Sequence, residues 1–190
     1  MMDALMRKRP EQTEQTENDL KQAFWKLYAA KPIEQITVSE IAQLAGYNRG
    51  TFYLHFQDIY DVLSTIEHDL LQQMSSCVET CMQRLDAGDE PIDCMQGVLD
   101  FYTKQREYVV VLLGPHGDPA FTAQLKSLLK PLWLTYVLHK EPKKSEQETD
   151  LMLEYTLSGA LFMISRWLQN PHGVSPEKLL HLVYHFALQR

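Results

Sequence analysis

The chain has 190 residues, 45% of them hydrophobic, and a formal net charge of −7. That length and apolar share allow one sizeable core, or a small domain joined to a larger one, and exclude a disordered chain as the starting reading. The acidic balance excludes a protein that coats nucleic acid by bulk charge alone.

The opening MMDALMRKRP carries no apolar signal region, so an unexported, cytoplasmic protein is expected. Its Arg7-Lys8-Arg9 run reads as a solvated tail or as an arm for the minor groove. A first helix is predicted from Glu17 to Ala30, with Leu20, Ala23, Phe24, Leu27 and Tyr28 on one face and Lys31-Pro32 as its stop. Thr37-Val-Ser-Glu40 has the spacing of a capping box and opens a short second helix that buries Ile41, Ala42 and Ala45 and ends at Gly46. Asn48 is suited to cap a third helix, Arg49 to about Phe56, in which Phe52 and Phe56 stand four residues apart. Asp58 can cap a fourth, carrying Ile59, Val62, Leu63, Ile66 and Leu70 and running on through Met74 and Cys77.

Beyond Leu85, breaks at 86–91, 114–119, 141–142 and 170–173 separate helical runs at about 92–113, 119–138, 146–169 and 175–189. Ser145-Glu-Gln-Glu148 is a second capping box, and Ser175-Pro176 puts proline at a first helical position. No alternating strand pattern is present, so the fold expected is all-α with about nine helices. Its division is expected at residues 1–62 and 63–190. The longest apolar stretches, Tyr108 to Leu113 and Leu157 to Ile164, are too short for a bilayer, so no membrane partner is expected.

Two short helices joined by Ala45-Gly46-Tyr47-Asn48 make a helix-turn-helix, whose second member can present its N-terminal end to a major groove. The whole stretch ITVSEIAQLAGYNRGTFYLHFQDIYDVL, Ile36 to Leu63, closely resembles the DNA-binding segment of the tetracycline-repressor family. The resemblance implies roles residue by residue. Thr37 would bond a phosphate as well as cap its helix. Tyr47, Asn48, Arg49, Gly50 and Thr51 would face bases and nearby backbone, and Tyr53 and His55 would hold phosphates. Arg49 also has the guanidinium fork that matches guanine O6 and N7, and Gly50 lets backbone come close.

The chain departs from the family where many members carry a phosphate-binding lysine after the His-Phe pair, since Gln57-Asp58-Ile59 stand there. Ser39 and Glu40 occupy positions that are often basic. Residues 1–60 hold seven Lys or Arg against eight Asp or Glu, so DNA binding needs Arg7, Lys8, Arg9, Lys31 and Arg49 to form a local cationic edge. The Lys-Pro and Asn-Arg-Gly-Thr-Phe-Tyr runs resemble a branch common in Gram-positive bacteria, some members of which regulate or partner with dihydroxyacetone-kinase systems.

The last two helices are the expected homodimer contact, through Leu157, Gly159, Ala160, Leu161 and Ile164 on the first and Leu179, Leu182, Val183 and Phe186 on the second. The bland alternative is an intrachain core. An effector pocket lined by Trp133, Tyr136, Tyr155, Phe162 and Trp167 is expected between the remaining helices, with His116 and His139 as polar groups. Cys77, Cys81 and Cys94 cannot all pair within one chain and read as free thiols of a reducing compartment. His181 and His185 have the spacing of a metal pair, but a role at the dimer surface fits them better and no metal or cofactor is expected. The function implied is a regulator, a repressor by family default, that binds a palindromic DNA operator as a homodimer and answers to a small-molecule or protein effector. The competing reading is a module that acts through a protein partner. No catalytic constellation stands out, so no enzyme is expected.

Overall fold

A computed structural model describes residues 2–114, 117–138 and 145–188, with side chains from Thr13 onward except those of Pro91, residues 136–138 and residues 187–188. Among these residues there are nine α-helices, one 3-10 turn and no strand. The helices are α1 (Met2–Tyr28), α2 (Val38–Ala45), α3 (Arg49–His55), α4 (Ile59–Asp86), α5 (Pro91–Lys104), α6 (Arg106–Leu112), α7 (Pro119–Leu138), α8 (Glu146–Gln169) and α9 (Pro176–Leu188). The 3-10 turn is Ile33–Gln35. The chain divides into two units between Asp69 and Leu70, inside α4 and a little beyond the boundary that periodicity places after residue 62.

In the first unit α1 packs on α2 and α2 on α3. Leu20, Phe24, Ile41, Phe52 and Val62 lose all solvent contact there, each burial being worth about 1.5–3 kcal/mol. Phe24 stacks on Tyr28 at 5.5 Å, and Lys21 Nζ bridges Glu17 on its own helix and Asp69 on α4 at 2.8 and 2.9 Å. The first helix begins at Met2, well before the expected Glu17. The added turns are rich in Glu and Gln, good helix formers without an apolar stripe for periodicity to detect. Gln15 Nε2 also donates to Asp19 Oδ1 one turn on, at 2.8 Å. Helical backbone therefore replaces both the tail and the arm expected for Arg7, Lys8 and Arg9, whose side chains lie outside the described residues.

In the second unit α8 packs against α6, α7 and α9, while α5 packs on α6 and α9. The helix expected over 92–113 is two helices. Gln105, at φ −96 and ψ 22, ends α5 and starts α6. No glycine or proline marks this break. What accompanies it is a tertiary bond, in which Arg106 Nε donates to the Leu168 carbonyl at 2.7 Å. The second capping box forms as its spacing predicts: Ser145 N donates to Glu148 Oε2 at 2.8 Å, and Glu148 N to Ser145 Oγ at 3.2 Å. No helix among the described residues is long and apolar enough to cross a membrane.

Candidate nucleic-acid interface

The turn between α2 and α3 is built by three adjacent residues. Gly46 takes a left-handed conformation at φ 80 and donates its N–H to the last carbonyls of α2, where a side chain would strain the backbone. Tyr47 N then donates to the Ala42 carbonyl at 2.8 Å. Asn48 caps α3, its Oδ1 accepting from Thr51 N at 2.9 Å. With Ile41 and Phe52 fully buried, the opposite side of α3 is forced outward.

The eight residues expected at DNA do not all reach that outer side. Asn48, Arg49, Gly50 and Tyr53 are exposed, whereas Thr51 and His55 are half-buried. The Arg49 side chain makes no hydrogen bond or ion pair with any described residue. Tyr53 sets its ring edge-on to Phe52 at 5.5 Å and leaves 52% of its surface in solvent. A Cβ on Gly50 would lie 3.0 Å from Asn48 Oδ1, so this glycine also makes room for the cap. Tyr47 faces α1: its hydroxyl donates to Asp19 Oδ2 at 2.9 Å, and the ring is half-buried. Spacing alone could not show this, because the bond spans 28 residues.

Thr37 is engaged within its own capping box. Its Oγ1 donates to Glu40 Oε2 at 2.9 Å and accepts from Glu40 N at 3.3 Å, and its own N–H donates to the same carboxylate at 2.9 Å. The other Glu40 oxygen takes Lys31 Nζ at 2.7 Å. The Lys31 ammonium first, and then the Thr37 hydroxyl and amide, hold the Glu40 carboxyl below the usual glutamate range. Lys31 is thereby withdrawn from the cationic edge that was expected of it.

A second self-satisfied anion site lies at the start of α4. Asp58 Oδ1 accepts from Tyr60 N and Asp61 N at 2.8 and 2.9 Å, and Asp61 Oδ2 accepts from Gln57 N at 2.8 Å. The free amides of a helix N-terminus attract anions. Here the chain's own carboxylates take them, at the place where a lysine is absent. Two outward apolar side chains escaped the sequence reading: Leu54 on α3 is 83% exposed, and Leu44 on α2 is 51% exposed. The signal was present, since Leu54 lies off the stripe that Phe52 and Phe56 define.

The second unit sorts the other expected residues by depth. Leu157, Leu161, Ile164, Leu179 and Val183, expected at the homodimer contact, are buried within the single chain, as the alternative of an intrachain core has them. Ala160 and Leu182 are half-buried, while Gly159 and Phe186 are exposed. Of the expected pocket residues, Trp133 lines an apolar cavity of about 80 Å³ together with Tyr102, Leu129, Leu157 and Ile164. Tyr155 and Phe162 instead stand 70% and 72% exposed on the far side of α8. Trp167 Nε1 donates to the Val174 carbonyl at 2.8 Å and anchors the turn into α9. Helix α8 is apolar on two faces, so its pattern could not tell inward from outward. The side chain of Tyr136, and both His116 and His139, lie outside the described residues.

Cys77, Cys81 and Cys94 form no disulfide, and burial pushes the Cys77 and Cys94 thiols up, away from the reactive thiolate form. Among the described residues no three His, Cys, Asp or Glu gather as a metal site.

Comparison with known proteins accords with this geometry. Residues 22–66 match bacterial regulatory proteins of the tetR family, and residues 89–189 match the transcriptional regulator C-terminal region. The HTH-type transcriptional regulator YxbF of Bacillus subtilis (strain 168) is 21% identical over 182 residues; the chain spans about half that relative's length, 46%, although 93% of the chain is matched. The crystal structure of a TetR transcriptional regulator from Streptococcus agalactiae 2603V superposes with a TM-score of 0.70 at 20% identity, covering 97% of this chain and 99% of that one. The dihydroxyacetone kinase operon activator DhaS superposes with a TM-score of 0.57 at 20% identity, covering 91% and 94%. Likeness at these identities shows the fold. The family matches reach further, across the helix-turn-helix and more than half of the chain: this protein belongs to the tetR family of bacterial DNA-binding transcriptional regulators, which are not enzymes.

Proposed function

We propose that this chain is a cytoplasmic, homodimeric regulator that reads a near-palindromic duplex operator through α3 and responds to an effector taken up by its second unit. The observation that carries this reading is the state of Arg49. It stands exposed at the first position of α3 without an internal partner among the described residues, whereas Asp19, Glu40, Asp58 and Asp61 are all bonded within the unit. A guanidinium presented in this way can bond both guanine O6 and N7. Asn48 and Gly50 beside it offer a polar tip and bare backbone, while Tyr53 can reach a phosphate and Leu54 a thymine methyl.

A palindromic site needs two copies related by a two-fold axis. The outward faces of α8 and α9, with Tyr155, Phe162 and Phe186 exposed, support a second copy there, since monomers rarely leave several large apolar side chains together in water. An effector changes operator affinity only by binding the competent and incompetent dimers unequally. Repression by obstructing polymerase is the default sign. DhaS, an operon activator of the same fold, is a reason to read the sign from a reporter gene.

A second reading has its own support. Lys31 is held by Glu40 and the start of α4 is filled by Asp58 and Asp61, so phosphate-holding groups are few, and exposed Leu44 and Leu54 suit a protein partner. Selection of random duplexes by the purified protein separates the two. Enrichment of an inverted repeat supports the operator reading; no enrichment at low salt, with a stable heteromeric complex, supports the partner.

A further inference from the structure

Within the first unit, Lys21 ties α1 to α4. Its Nζ lies 2.9 Å from Asp69 Oδ2, 48 residues along the chain, and 2.8 Å from Glu17 Oε1 one turn back on its own helix. The Lys21 side chain is 15% exposed, so the pair is less open to solvent and salt than a bridge on the surface. Burial works against the ammonium, yet the bonds to Glu17 and Asp69 outweigh it and raise the lysine above its ordinary value. The position of the tie gives it leverage. Helix α2 packs on α1 and α3 on α2, so α1 carries the helix-turn-helix. Val62, Leu63 and Ile66 bury the start of α4 in the same unit. Asp69, about 15 Å beyond Ile59 along that helix, is the last residue of the unit, and the chain passes into the second unit within α4.

We propose that Lys21 is a positioning residue for operator recognition: by holding Asp69 it fixes the direction in which α4 leaves the DNA-binding unit, and with it the separation of the two α3 helices in a dimer. The inference rests on the reading of the chain as a homodimer that binds a near-palindromic operator. Two recognition helices can enter both half-sites only at a matching separation, and adding or removing one base pair moves a half-site by about 3.4 Å and turns it by about 35°. A tilt of α4 at its exit changes that match without touching Arg49 or any base contact. Lys21 thus governs the spacing of the half-sites and not the sequence within them.

The test titrates the full chain, at fixed salt, with the selected operator and with versions whose half-sites are moved by one base pair either way. Lys21→Met keeps the buried stem and removes the charge. It should lower the preference for the native spacing about fivefold, the level at which partners in one ion-pair network couple, and leave base preference within each half-site unchanged. Asp69→Ala, at a half-exposed position, should do the same. Lys21→Arg, which can reach both carboxylates, should keep the wild-type preference, as should Glu17→Gln, which alters only the bond inside α1. An unchanged spacing preference in folded Lys21→Met and Asp69→Ala, or an equal loss in Glu17→Gln, would overturn the proposal.

A second readout needs no DNA. With spin labels on Leu54→Cys, at an outward position of α3, the distance between the two copies should broaden in Lys21→Met and not in Glu17→Gln. A protein that broadens in this way but selects no duplex keeps the tie and loses the operator reading. One that selects an inverted repeat, with a spacing preference untouched by Lys21→Met, loses the tie alone. A chain that stays monomeric loses both.

Discussion

The Tyr47 hydroxyl donates to Asp19 Oδ2 at 2.9 Å, tying the turn of the helix-turn-helix to α1 across 28 residues of chain. Asp19 is held from its other oxygen by Gln15, so the turn leans on a pre-set carboxylate. Tyr47→Phe should therefore lower stability by about 1 kcal/mol, measured by urea denaturation, and leave the preferred operator sequence unchanged. A changed base preference at intact stability would return Tyr47 to the DNA surface.

Glu40 competes with DNA for Lys31. Removing its charge in Glu40→Gln should free that ammonium, tighten operator binding and steepen the dependence on salt by close to one unit of log–log slope per protomer. The same variant reports on pH. Because partners in the folded state lower the Glu40 carboxyl, its contribution to stability is present above the ordinary glutamate range and is lost as pH falls through the lowered value. Acid titration of stability should thus be shallower in Glu40→Gln than in the wild type.

The start of α3 can be tested as a cycle. Gly50→Ala places a Cβ 3.0 Å from Asn48 Oδ1 and should cost about 1 kcal/mol by displacing the cap. In an Asn48→Ala background the conflict is gone, and the better helix propensity of alanine should make the same change neutral or stabilising. Additive effects would mean that the glycine is not there for the cap.

Exposure separates the two apolar faces of α8. Phe162→Glu, at a position 72% exposed, should give a folded monomer by sedimentation. Leu161→Glu, one residue earlier but only 4% exposed, should unfold the chain because it buries an unpaired charge. A folded dimer in Phe162→Glu would place the interface elsewhere.

What was legible in the sequence was mostly what is local. Thr37 with Glu40, Ser145 with Glu148, and Asn48 with Thr51 are bonded within three residues, so spacing and side-chain chemistry suffice to anticipate them. What spacing did not anticipate is set by distant partners. Arg106, at the break between α5 and α6, bonds a carbonyl 62 residues away, and Tyr47 bonds an acid on α1. Leu157, Leu161 and Ile164 lie on one of two equally apolar stripes of α8, and only α6, α7 and α9 determine which stripe is inward. Tyr102 on α5 and Trp133 on α7, 31 positions apart in the chain, line one cavity, and periodicity says only that each is core.

The proposed operator reading requires that Arg49 contact a base. Once selection has supplied an operator, its affinity and that of a panel of single-base variants can be measured for the wild type and for Arg49→Ala at fixed salt. The wild type should discriminate by about 1–3 kcal/mol at one position in each half-site, and Arg49→Ala should bind more weakly and lose discrimination at that position alone. Undiminished affinity and unchanged discrimination in Arg49→Ala would contradict it.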